Sequence, residues 1–225
     1  EGDDGRDTLV TITPYVWASG IGGKLRPIPF GPTFRASKSF GEVLEDLDTA
    51  LFVSAGVRSG RLVFVGDFTR AVSSKEGLVP PGLPADGQLR TTSLTVAGGW
   101  RVVAEERTRL DLMAGARAWW VRTRVDVPLA GISRSPQLDF VDPIVAARLQ
   151  QRLGGNWSLL LYGDMGGFKA GSDMSAQGVA TVNLGVTRWL VLSGGYRYLM
   201  LDWKDGGRQV DVRQHGPIVG ATLRF

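Results

Sequence analysis

The run RLDLMAGARAWWVRT, residues 109–123, sets the terms for the whole chain. From Leu110 to Trp120 its even-numbered positions, Leu110, Leu112, Ala114, Ala116, Ala118 and Trp120, carry no charge, while Asp111 and Arg117 stand among the odd-numbered ones. Strict alternation of this kind belongs to a β-strand with two chemically different faces. The run is also long: globular strands have a mode of about 5–6 residues, whereas roughly 9–11 tilted residues cross a bilayer. No stretch approaches the roughly 18 consecutive apolar residues of a membrane helix.

About ten such runs follow one another, joined by connections that alternate between short and long. Ser59 and Gly60, the segment AEERT, the segment GGN, and Arg188 with Trp189 make the short ones. The Pro-rich GLVPPGLPADG and the segment containing PLAGISRSP sit in the long ones. This rhythm predicts an all-β, up-and-down antiparallel transmembrane barrel of about ten strands, its tight turns all at one end. Twelve strands are the alternative, because GKLRPIPF and PTFRAS read as a further hairpin. The chain is expected to form one domain over residues 1–225, with 1–7 a flexible N-terminal segment.

The two faces sort cleanly. On the uncharged face lie, among others, Val16, Val57, Phe64, Val96, Val145, Leu161, Val182 and Leu192. Opposite them lie Arg58, Asp67, Arg101, Asp111, Arg117, Asp142, Arg148, Arg152, Asp164 and Arg197, a set expected to line the lumen as a charge network. A soluble barrel would reverse the faces; lipid cannot solvate charge, so a lipid-embedded barrel turns it inward. Buried charges must pair, so the four aspartates are read as arginine partners before they are read as metal ligands or acid–base groups. Trp100, Trp157 and Trp189 fall near the short-turn end, where an interfacial aromatic girdle would stand. Tyr198, Trp203, Trp17, Trp120 and Phe140 are candidates for the girdle at the other end.

Composition removes other classes. The 225 residues include no cysteine, so disulfides, thiolate metal sites and cysteine nucleophiles are excluded. A net charge of +4 would admit nucleic acid, but arginines interleave with acids along the chain and form no basic stripe. The Gly-rich GDMGGFKAGSD lacks the GxxxxGK[ST] pattern and lies between strands, so it reads as a turn and not a phosphate loop. No basic-then-apolar leader opens the chain; a signal peptide already removed is the expectation.

Two features stand outside the alternation. SFGEVLEDLD, residues 39–48, places Phe40, Val43, Leu44 and Leu47 at helical spacing, with Ser39 and Glu42 arranged as a capping box. It predicts a short amphipathic helix in the first long connection, a candidate plug for the barrel mouth. His215 is the only histidine, so any Ser–His or Asp–His chemistry would have to use it. Alternation puts His215 on the lipid-facing set unless a bulge at Gly216–Pro217 turns it inward.

The terminal GPIVGATLRF alternates to the last residue, with Leu223 and Phe225 on the apolar face. Together with TPYVWASGIGGKL, SFGEVLEDLD, DPIVAARLQQRLGGNWSLLLYGDMGGF and GYRYL, it resembles small Gram-negative outer-membrane barrels of the OmpA- and OmpW-like group. More narrowly it resembles a proteobacterial outer-membrane family that mostly lacks an assigned function, from which it departs by having Ala146 where Gly is frequent. The resemblance implies that Phe225 and Leu223 form an assembly signal read by the barrel-assembly machinery, and that outer-membrane lipid and lipopolysaccharide surround the barrel. No cofactor is expected, and the interleaved charges make a nucleic-acid partner unexpected as well. A noncatalytic barrel with a narrow pore, passing small molecules or ions, or with a structural role in the envelope, is the leading functional expectation. A lipid-modifying or proteolytic barrel enzyme using His215 is one alternative; a subunit of a larger envelope assembly with other envelope proteins is another.

Overall fold

A computed structural model of the chain describes residues 8–26, 34–38, 41, 47–79, 83–127, 132–135 and 137–225. The strands are β1 (Thr8–Trp17), β2 (Gly20–Arg26), β3 (Phe34–Lys38), β4 (Leu47–Ser59), β5 (Leu62–Val79), β6 (Leu83–Ala104), β7 (Thr108–Val127), β8 (Ile132–Arg134), β9 (Gln137–Gly154), β10 (Trp157–Gly166), β11 (Met174–Gly185), β12 (Leu190–Asp205) and β13 (Arg208–Arg224).

Each pairs antiparallel with its neighbour, and β1 pairs with β13 to close the ring. β2 prolongs β1 along the same edge of β13; among the described residues β3 pairs only with β2 and β8 only with the outer end of β7. Ten strands therefore make the wall. The hairpin of GKLRPIPF and PTFRAS exists as β2 and β3, but it extends one strand outward and adds none to the ring. The β1–β4 register ends at Pro14↔Val53, and the β1–β13 register skips Thr13 and Pro14, where the missing N–H, which would face β13, removes one ladder bond.

Tight turns span 60–61, 105–107, 155–156 and 186–189 at one end together with Phe225, but not all lie there: the two-residue turn 206–207, made by two glycines at positive φ, joins β12 to β13 at the opposite end. At the other end the strands run further than the sequence suggests. Most of GLVPPGLPADG is strand, β5 reaching Val79 and β6 starting at Leu83, so these hairpins rise well beyond a bilayer-crossing length. Of the predicted helix over 39–48, Phe40, Val43 and Leu44 lie outside the described residues, as does the 1–7 segment. Leu47 corrects the expectation: it opens β4 and pairs with Ser73 of β5, so the strand ladder claims the end of the helical pattern.

Outward, the wall is apolar: Val16, Phe64, Val96, Val141, Val145 and Leu192 are each about half exposed. Inward, Arg117, Asp111 and Asp142 are almost wholly buried. That inversion of the soluble pattern is what a lipid-facing barrel requires.

Candidate functional site: a stratified lumen

The lumen is layered along its axis, and the strand register builds each layer. Near the short-turn end Asp111 of β7 lies directly across from Arg101 of β6 and from Arg148 of β9. Arg101 Nε donates to Asp111 Oδ1 at 2.8 Å, and Arg148 donates through Nε and Nη2 to Asp111 Oδ2 at 3.0 and 2.9 Å. One carboxylate thus holds two guanidiniums in a row across three strands.

At mid-height two arginines cross the barrel. Arg117 Nε donates to Thr95 Oγ1 at 2.9 Å, and its Nη2 reaches past β9 to Asp164 Oδ2 at 2.6 Å. Arg197 of β12 donates to Asp67 Oδ1 of β5 at 3.0 Å, to Gln177 Oε1 at 2.6 Å and to Tyr15 Oη. Tyr15 Oη in turn donates to Asp67 Oδ2 at 2.8 Å. Charge-assisted bonds of this kind are the strong class, and they tie β1, β5, β11 and β12 together through the lumen.

Asp142 departs from the expected arginine pairing. Arg117 is its register partner, yet the Asp142 carboxylate accepts from the Ser172 amide at 2.6 Å and from Ser172 Oγ at 2.9 Å, anchoring the connection between β10 and β11. Arg58 and Arg152 belong to neither belt; both line the wide cavity at the short-turn end.

Above the arginines the lumen turns aromatic. Trp17, Trp119, Leu199, Leu201, Trp203 and Val210 are buried together, with Phe52 and Phe140 packed against them. Trp119, Phe140 and Trp203 stack in series with ring centroids 6.2 and 6.1 Å apart, and Tyr15 stacks on Phe52. Arg197 lies 4.7 Å from the Trp17 ring centre and Arg117 6.0 Å from that of Trp119, so each cation binds a carboxylate and faces an indole. Trp17, Trp203 and Phe140 are therefore core residues and not a girdle. Parity could have found them, since each neighbours a residue of opposite face: Val16, Asp202 and Val141. Tyr198 stays outward, and Trp100, Trp157 and Trp189 stand half exposed on the outer surface near the short turns.

His215 faces outward without a bulge, because the β12–β13 register runs unbroken through Tyr198↔His215, Arg197↔Gly216 and Tyr196↔Pro217. Its Nδ1 is 2.7 Å from Tyr196 Oη, and its ring stacks on Tyr196 and Tyr198. Among the described residues no cluster of three or more His, Asp or Glu is placed to hold a metal.

Below the belts the lumen is open. A cavity of about 1440 Å³ at the short-turn end narrows into a chamber of about 200 Å³. Tyr15, Asp67, Gln177, Arg197 and Ile218 line the inner end of that chamber.

No protein-family model matches the chain, and no curated protein matches it. Solved structures do. The outer-membrane protease OmpT of Escherichia coli superposes with a TM-score of 0.63 over 97% of both chains at 10% identity. The chain has the fold of an outer-membrane β-barrel. The translocator domain of the autotransporter NalP of Neisseria meningitidis gives 0.53 over 99% of this chain and 90% of its own at 14% identity. The transport unit of the autotransporter AIDA-I of Escherichia coli gives 0.50 over 100% and 93% at 10% identity. At such identities the likeness is one of fold.

Proposed function

We propose that the chain is a noncatalytic outer-membrane barrel, closed to through-passage at mid-height, that serves the envelope as a structural or binding element. The observation that carries this reading is the pair of buried ion pairs inside the lumen, Arg197–Asp67 spanning from β12 to β5 and Arg117–Asp164 from β7 to β10, lying directly against the stacked aromatic layer. Ten strands enclose a narrow interior, in contrast to the 16–18 of an aqueous porin, and here bulky side chains occupy it.

The apolar outer face and the outer-membrane fold support a lipid surrounding, with lipopolysaccharide and phospholipid as immediate neighbours. Phe225 at the closing seam supports recognition by the barrel-assembly machinery. One structural neighbour is a protease and two are parts of autotransporters; the residues here favour neither activity. A His215-based enzyme has little support, because the imidazole sits on the outer face with a tyrosine as partner.

Single-channel recording of the protein refolded into a planar bilayer tests the reading. The expected trace is silent for correctly folded protein. Steady conductance steps from the wild type would overturn the closed-lumen proposal.

A further inference from the structure

At the short-turn end the lumen carries more positive charge than its own carboxylates neutralise. Nine arginines and two glutamates line that cavity. The nearest buried carboxylate, Asp111, is already shared between Arg101 and Arg148. Among the described residues no ion pair engages Arg61, Arg107, Arg152, Arg188 or Arg224. Arg152 at the end of β9 and Arg224 at the end of β13 both line this cavity.

Like charges gathered around one concave mouth repel one another and together raise a positive potential there, even with each of these five side chains reaching solvent. An anion placed between them reverses the sign of that interaction. Guanidinium forks match the oxygens of phosphate and carboxylate, and these five sit on strand ends or two- to four-residue turns, which hold them in place. The cavity, at about 1440 Å³, exceeds the roughly 300–1,000 Å³ of ordinary small-molecule pockets, leaving room for several anionic groups with their water.

We propose that this mouth binds a small polyanion bearing several phosphate or carboxylate groups, which approaches from the side where Thr8 and Phe225 lie. On the closed-lumen reading proposed above it is a dead-end site: the ligand enters and leaves by the same mouth, beneath the mid-height arginines Arg117 and Arg197.

Isothermal titration of the barrel, refolded in a zwitterionic detergent, against sodium tripolyphosphate, citrate and a glutamate decamer tests the proposal. Tripolyphosphate or citrate is expected to bind once per chain, with affinity falling as salt rises. Whichever binds identifies the oxyanion. Arg152→Glu with Arg224→Glu should weaken binding at least tenfold. Arg122→Glu with Arg213→Glu, an equal charge change at the opposite end, should change it less than twofold. Should the reversal variant fail to fold, Arg152→Gln with Arg224→Gln carries the same comparison, with a loss of several-fold expected. No binding of either small anion, or equal weakening in both double variants, overturns the proposal. Binding of the decamer alone overturns it in favour of an acidic polypeptide partner.

Discussion

Arg117 and Asp164 stand on β7 and β10, with β9 between them, and their charged groups meet at 2.6 Å inside the lumen, over β9. Both side chains are nearly sealed from solvent, at 1% and 0% exposure. Removing one partner of such a pair strands the other. Arg117→Ala is therefore expected to destabilise the barrel by about 3–5 kcal/mol, whereas the double replacement Arg117→Met with Asp164→Leu should recover most of that loss. Denaturant titration of the refolded barrel reads both. A double variant as unstable as the single one would show that the pair is worth more than its packing volume.

The face assignment makes a second prediction. Val96 points outward, 53% exposed, midway along its strand, while Asn183 borders the wide lumen cavity. Val96→Arg should cost about 2–4 kcal/mol in a bilayer, the penalty for a cation near the midplane. Asn183→Asp loses the amide donations to Ser158 O and Thr181 O but places its charge beside the lumen cavity, so it should cost less than Val96→Arg. Equal effects in a refolding titration into lipid vesicles would mean that the two faces had been exchanged.

The architecture was legible because lipid imposes a one-sided rule: Leu110, Leu112, Ala114 and Ala116 could not be replaced by charges without penalty, so alternation survives in the sequence over the whole strand. The row Arg101–Asp111–Arg148 was legible only as charge on one face, because a bulge at Val102 shifts the β6–β7 register by one residue and a long connection separates β7 from β9. Contacts that depend on ring closure were not. Arg197 meets Asp67 only because the barrel brings β12 opposite β5, and Asp142 turns to Ser172 because a connection folds back on it. Trp17, Phe140 and Trp203 were misplaced because aromatic identity was weighed above parity. The helical spacing of 39–48 yielded at Leu47 to a ladder that the local pattern does not encode.

Adjacent glycines on β12 offer a sharper test of packing. A Cβ on Gly194 would meet nothing within 4 Å, whereas one on Gly195 would lie 1.9 Å from the Ala180 carbonyl oxygen, which is backbone and has no rotamer to yield. Gly195→Ala should therefore cost about 1–3 kcal/mol or more through forced strand separation. Gly194→Ala should be neutral or stabilise by about 0.4–1 kcal/mol by restricting the unfolded chain. Thermal unfolding of the two variants side by side decides it; equal melting shifts would refute the close approach of β11 and β12 at this point.

The closing seam separates a backbone role from a side-chain role. Phe225 N donates to Val10 O at 2.9 Å and Val10 N donates to Phe225 O at 3.2 Å, so the last residue completes the β1–β13 ladder through its main chain. Its ring projects outward and is 57% exposed. Deleting Phe225 removes both hydrogen bonds and should cost about 1–3 kcal/mol. Phe225→Ala keeps them, so its effect on stability in plain lipid vesicles should be smaller than that of the deletion. If the ring is what the assembly machinery reads, Phe225→Ala should instead slow folding several-fold in vesicles that contain the machinery, while unaided folding keeps nearly its wild-type rate. A Phe225→Ala barrel that folds at the wild-type rate in both settings would remove the ring from assembly and leave only the seam.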